Sequence, residues 1–161
     1  MNFDIYTTKS KEAIQSAQQL MTQNHNPQLE QIHLLVALLQ QENGLVPQLL
    51  KKMDVTVESL QAAAEAELQK LPSISGSVDF DRVNADSSLV SALNAAENQA
   101  KTMKDEYVSV EHLFLGLLEA ARGGVKELFK TYQITRERVL KALQEVRGNQ
   151  RVTTDNPEGT Y

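Results

Sequence analysis

Apolar residues recur three and four positions apart over most of the chain, the spacing that lines one face of an α-helix. Ala13, Ile14, Ala17, Leu20 and Met21 form the first such stripe. Thr7 precedes it, and its hydroxyl suits the position just before a helix. The stripe stops at Asn24-His25-Asn26-Pro27, because proline cannot continue a helix and restrains the residue ahead of it. The next run, roughly 30–41, is apolar nearly all round through His33-Leu34-Leu35-Val36-Ala37-Leu38-Leu39, which predicts a buried central helix. Leu29 and Leu34 are spaced to staple its entry. Gly44 breaks the chain, and a short helix near 45–52 turns Leu45, Leu49 and Leu50 inward. Thr56 opens a fourth helix that carries Val57, Leu60, Ala64, Leu68 and Leu71 as far as Pro72.

The same order then returns. Asp86 or Ser87 starts a stripe of Leu89, Val90, Leu93, Ala96, Ala100 and Met103. Ser109 precedes His112-Leu113-Phe114-Leu115-Gly116-Leu117-Leu118, Gly123-Gly124 precedes a short helix near 125–131, and Thr135 precedes a last helix that ends near Gly148. One shift of 79 places carries His33 onto His112, Gly44 onto Gly123 and Thr56 onto Thr135 without a gap, and 10 of the 32 pairs between 29 and 60 are identical under it. Repetition on this scale decides the architecture. The expectation is an all-α fold, a pseudo-twofold duplicated four-helix repeat with about eight helices. Repeat 1 spans about 7–71 and repeat 2 about 86–148. Residues 72–85 form a Pro-, Gly- and Ser-bearing connector, with a short extended piece at Val78-Asp79-Phe80. The tail 149–161 is polar and aperiodic, which predicts a flexible linker toward a further part of a longer protein.

Composition narrows the chemistry. The formal net charge is −5 and no basic run is long enough for a nucleic-acid or membrane patch. There is no cysteine, which removes disulfides and thiolate chemistry and suits a cytoplasmic protein. No stretch approaches the ~18 apolar residues of a membrane span. The phosphate-cradling Gly-rich loop with Lys-Ser/Thr is missing, so ATP hydrolysis is not expected of these residues, and no nucleophile elbow is present. His33 and His112 hold equivalent places. They admit two readings: a catalytic or metal pair, or two side chains packed beside a helix start. Glu111, in the first turn after Ser109, and Asp105, four residues ahead of it, put negative charge at the start of the sixth helix. They either complement its dipole or form a polar rim for a partner. The wide apolar face of the fifth helix, with Leu93, Met103, Tyr107 and Val110, either packs inside or leaves a groove for unfolded segments.

The duplicated unit, Ser109-Val110-Glu111-His112-Leu113 and Thr7-Thr8-Lys9-Ser10-Lys11-Glu12-Ala13 resemble the Clp amino-terminal (Clp repeat) domain of the Clp AAA+ ATPases over about residues 3–148. The tail, Arg147 to Thr153 and Asn156-Pro157-Glu158-Gly159-Thr160-Tyr161, is similar to the lead-in to the first ATPase module of the disaggregase branch. The resemblance implies a non-enzymatic domain that engages unfolded or aggregated polypeptide and passes it to a homohexameric ring. The fragment itself is expected to be a monomer without cofactors. ATP and Mg belong to the full-length protein, and an Hsp70-type chaperone system is an implied partner. It further implies that Thr7, Asp105 and Glu111 engage substrate, beside an apolar groove around Leu93, Met103, Tyr107 and Val110. The alternative is an adaptor- or phosphoarginine-binding N-domain of a ClpC- or ClpA-type protease ATPase. The first repeat departs from the pattern: Glu30-Gln31-Ile32-His33 lacks the Ser/Thr cap of the second.

Overall fold

The computed structural model describes residues 3–75 and 84–161; the extended piece expected at 78–80 lies outside the described residues. Among them run eight helices and no strand: α1 Thr8–Gln23, α2 Gln31–Gln40, α3 Leu45–Lys52, α4 Val57–Gln69, α5 Ser87–Thr102, α6 Val110–Ala120, α7 Gly123–Thr131 and α8 Arg136–Arg147. The fold is therefore all-α, built from two four-helix copies. None of the helices is long and apolar enough to cross a membrane.

Helices α2 and α6 form the centre. Every residue of α2 from Gln31 to Leu39 is buried, as is α6 from Val110 to Leu117. Fully burying one such Leu or Val contributes about 1.5–3 kcal/mol, so these two helices supply much of the stability. α1 packs on α2 and α5 on α6, the second pair with the closer approach of backbones. The reason is Gly116: a Cβ there would come within 2.3 Å of the Ala92 carbonyl oxygen, 2.7 Å of the Ala96 nitrogen and 2.9 Å of the Ala96 Cβ. Its counterpart in α2 is Ala37. Elsewhere the second copy uses aromatics, with Phe114 and Phe129 meeting edge to face at 5.7 Å where the first has Leu35 and Leu50.

The copies are laced together at two places. Tyr6 pairs with Val108, and Leu29 with Ala85, each as a short parallel bridge. The 79-place shift exchanges the two bridges, so each copy's lead-in lies along the other copy's entry to its central helix. Gln31 adds a buried stitch, its Nε2 donating to the carbonyls of Ser88 at 2.9 Å and Ala120 at 2.8 Å. Left-handed backbone recurs at equivalent turns, His25 (φ 54°) with Lys104 (φ 60°) and Asp54 (φ 57°) with Gln133 (φ 56°).

Candidate functional site

Four residues expected at the site, Thr7, Asp105, Val110 and Glu111, meet at the start of α6. What joins them is the chain's own tail. Thr7 caps α1, accepting from the Ser10 nitrogen at 3.2 Å, and its hydroxyl donates to Glu158 Oε2 at 2.6 Å. The same Glu158 oxygen accepts from the Val110 nitrogen at 3.2 Å. A carboxylate from the tail thus sits on the positive end of α6, where free backbone N–H groups favour an anion. Glu111 is fully buried, its Oε2 accepting from Arg147 Nη1 at 3.1 Å and from the Tyr161 hydroxyl at 3.1 Å. Asp105, its side chain wholly covered, accepts from Arg147 Nη2, from the Val152 nitrogen at 2.9 Å and from His112 Nε2 at 2.7 Å.

The tail, whose polarity predicts a flexible linker, lies against the bundle in this structure. Backbone pairs hold it, with the Thr8 nitrogen donating to the Asp155 carbonyl at 2.8 Å and the Glu106 nitrogen to the Val152 carbonyl at 2.8 Å. Val152 and Pro157 are its two buried anchors. Residues 151 and 153–156 stay exposed, and Glu158–Thr160 form one 3-10 turn.

Burial governs the charges here. Burial alone raises the Asp105 pKa, yet the hydrogen bonds from His112, Val152 and Arg147 hold it below the usual carboxylate range. Burial likewise works against the Arg147 charge, but Asp105 and Glu111 raise its pKa further. Glu158 is pushed up by burial, with Glu111 adding repulsion against the relief from Thr7 and Val110. Tyr161 is raised by burial and by Glu111. The second oxygens, Oε1 of Glu111 and of Glu158, are buried without a hydrogen-bond partner.

The equivalent node in the first copy is neutral. His33 Nδ1 accepts from the Glu30 nitrogen at 2.9 Å, so its Nε2 carries the proton and donates to Asn26 Oδ1 at 2.9 Å; Asn26 Nδ2 donates to the Pro72 carbonyl at 3.1 Å. Burial pushes the His33 pKa down to about 4, against a smaller opposing contribution from the backbone at Glu30. His112 makes the matching cap, Nδ1 accepting from the Ser109 nitrogen at 2.9 Å. Both imidazoles thus fill the place that Glu or Gln takes in a capping box. Each is wholly buried in its own copy, and among the described residues no three His, Cys, Asp or Glu side chains gather to hold a metal ion.

The apolar residues expected in one groove are dispersed. Leu93 lines a cleft of about 230 Å³ between α1 and α5, together with Phe3, Ile14, Leu29, Leu34 and Leu89. Met103 borders a different hollow with Leu140, Leu143 and Arg147. Tyr107 is half-buried in the turn before α6, and Val110 is buried within that helix. The helix-five face divides because α6 packs down its middle through Gly116. Phe3 (40% exposed) and Ile5 (37% exposed) are exposed apolar residues of the lead-in; their places on either side of Asp4 are the only sequence signal for them.

Residues 5–132 match the family model of the Clp repeat (R) N-terminal domain. The chain belongs to that family. The chaperone protein ClpB of Bacillus cereus strain ATCC 14579 is 40% identical over the whole chain, and that of Clostridium tetani 36%. The chain spans 19% of the length of each. Among solved structures, the Hsp104 N-terminal domain from Candida albicans superposes with a TM-score of 0.84 at 24% identity, covering 96% of this chain and 99% of that one. A complex of a ClpV N-domain with a VipB peptide superposes at 0.69 with 19% identity, covering 97% and 91%. These structural likenesses establish the shared fold.

Proposed function

We propose that this chain is the substrate-engaging N-terminal domain of an ATP-driven protein disaggregase, binding unfolded or aggregated polypeptide and passing it to an AAA+ ring. The observation that carries this reading is the cleft around Leu93, whose lining is almost wholly apolar, with the exposed Phe3 on its rim. An uncovered apolar hollow without convergent polar groups selects for greasy segments and not for a sequence, since hydrogen bonds that would fix one are missing. Binding through it is weak, and tethering to a ring compensates by raising the local concentration of captured chain. The similarity to ClpB over the full 161 residues supports the disaggregase setting, which is cytoplasmic. On this reading ATP and Mg, the hexamer and any contact with an Hsp70-type system belong to parts of the protein outside these residues.

The alternative, a receptor for phosphoarginine or an adaptor, finds less support. A guanidinium receptor needs unmatched carboxylates, and Asp105 and Glu111 are already matched from within by Arg147. The test is an NMR titration of the isotopically labelled chain with a permanently unfolded protein such as casein. Shifts at Phe3, Ile14, Leu89 and Leu93, reduced at least fivefold in affinity by Phe3→Ser, are expected. Unchanged spectra at about 1 mM, or shifts gathered instead around Glu30 and Asp86, would overturn the reading.

A further inference from the structure

The charged cluster at the start of α6 has no counterpart that the fold requires. Under the repeat shift Asp105 replaces Asn26, Glu111 replaces Ile32 and Arg147 replaces Leu68, and the first copy forms the same helices with the neutral set. The charges occur where the tail lies. Asp105 receives the Val152 nitrogen, Glu111 the Tyr161 hydroxyl, and Thr7 donates to Glu158. The tail is also built to leave. Its interior anchors are Val152 and Pro157, its middle is exposed, and two of the carboxylate oxygens it buries, on Glu111 and Glu158, go unsatisfied. An unmatched buried polar atom costs about 1–3 kcal/mol, and a segment with few apolar contacts opens ahead of the bundle.

We propose that residues 149–161 are a releasable strap, and that Thr7, Asp105 and Glu111 are positioning residues that hold it rather than groups that touch substrate. Docked, the strap fixes the exit of the chain beside α6. Released, those thirteen residues extend to about 45 Å. The strap also grips Thr7 and Thr8, which Tyr6 alone separates from the turn Phe3–Ile5, so release loosens the rim of the apolar cleft. This last consequence rests on the cleft reading above; the strap itself does not.

Amide hydrogen exchange on the 161-residue chain tests it, because two reporters lie outside the strap. The Thr8 and Glu106 amides donate to strap carbonyls, and the Val152 amide to Asp105. The three are expected to open together, at least tenfold more often than the amides inside α6. Glu158→Ala and Tyr161→Phe should each speed all three at least a further fivefold while leaving the amides of the α6 interior, beyond its first turn, unchanged. Exchange of the three at the rate of the α6 interior, or no response to either substitution, would overturn the strap. Casein titration of Glu158→Ala separates the two readings: a strap that opens in a chain that never binds casein removes the cleft reading and leaves the strap standing.

Discussion

The two copies solve one problem with different chemistry. Each must seat a histidine under the start of its central helix and close the turn before it. The first does so with Asn26, His33 and a backbone carbonyl. The second does so with Asp105, His112, Arg147 and Glu111, and attaches a segment of chain to the result. Since both copies keep the same helices, the charges cannot be the source of the fold. They are explained by what they hold. This agrees with the general weakness of buried ion pairs as stabilisers: desolvation takes back most of the attraction, and the penalty appears when one partner is lost.

The largest expected effect comes from breaking that balance. Arg147→Leu installs the first copy's residue alone and strands two buried carboxylates, which should cost about 3–5 kcal/mol in urea denaturation. Installing the whole neutral set, Asp105→Asn, Glu111→Ile and Arg147→Leu together, should restore most of that loss while leaving the Thr8 and Glu106 amides open. If the triple variant is no more stable than Arg147→Leu, the two nodes are not interchangeable. Next comes Gly116→Ala, which must push the α5 backbone away and should cost about 2–3 kcal/mol. The mirror change Ala37→Gly should cost only about 1 kcal/mol, the ordinary helix penalty.

The acid response is smaller. His33 has a folded pKa of about 4 against an ordinary histidine value of 6.5, so the unfolded chain takes up the proton first. Stability is intact above pH 6.5 and is lost as the pH falls toward 4, by about 2 kcal/mol between pH 7 and 5. His33→Gln should flatten that slope; an unaltered slope would place the acid sensitivity elsewhere. The smallest difference separates the paired helix caps. Asp86→Ala and Thr7→Ala should each lower stability by about 1 kcal/mol, and Thr7→Ala alone should also release the strap.

The helices, their order and their doubling were legible because they rest on local signals: apolar spacing, cap residues and proline or glycine stops. Thr7, Ser109, Thr135 and Asp86 stand at the helix starts where their side chains suggested. The strap was not legible. Its anchors join residues as far apart as Thr7 and Glu158, and a lone Val152 and Pro157 in a polar run make no period. The dispersal of Leu93, Met103, Tyr107 and Val110 was hidden for a related reason. A helical stripe tells which face is apolar, but not that a glycine on the neighbouring helix lets it bury the middle of that face.

The paired bridges Tyr6–Val108 and Leu29–Ala85 carry one more implication. Because each copy lends its opening residues to the other, neither is a finished object. A single copy, cut free of its twin, would have a lead-in with nothing to lie along and an entry with nothing beside it. Two such chains would satisfy each other through the same exchange, as a symmetric dimer of arm-trading subunits, and the present molecule has the form that such a dimer takes once its genes are joined end to end.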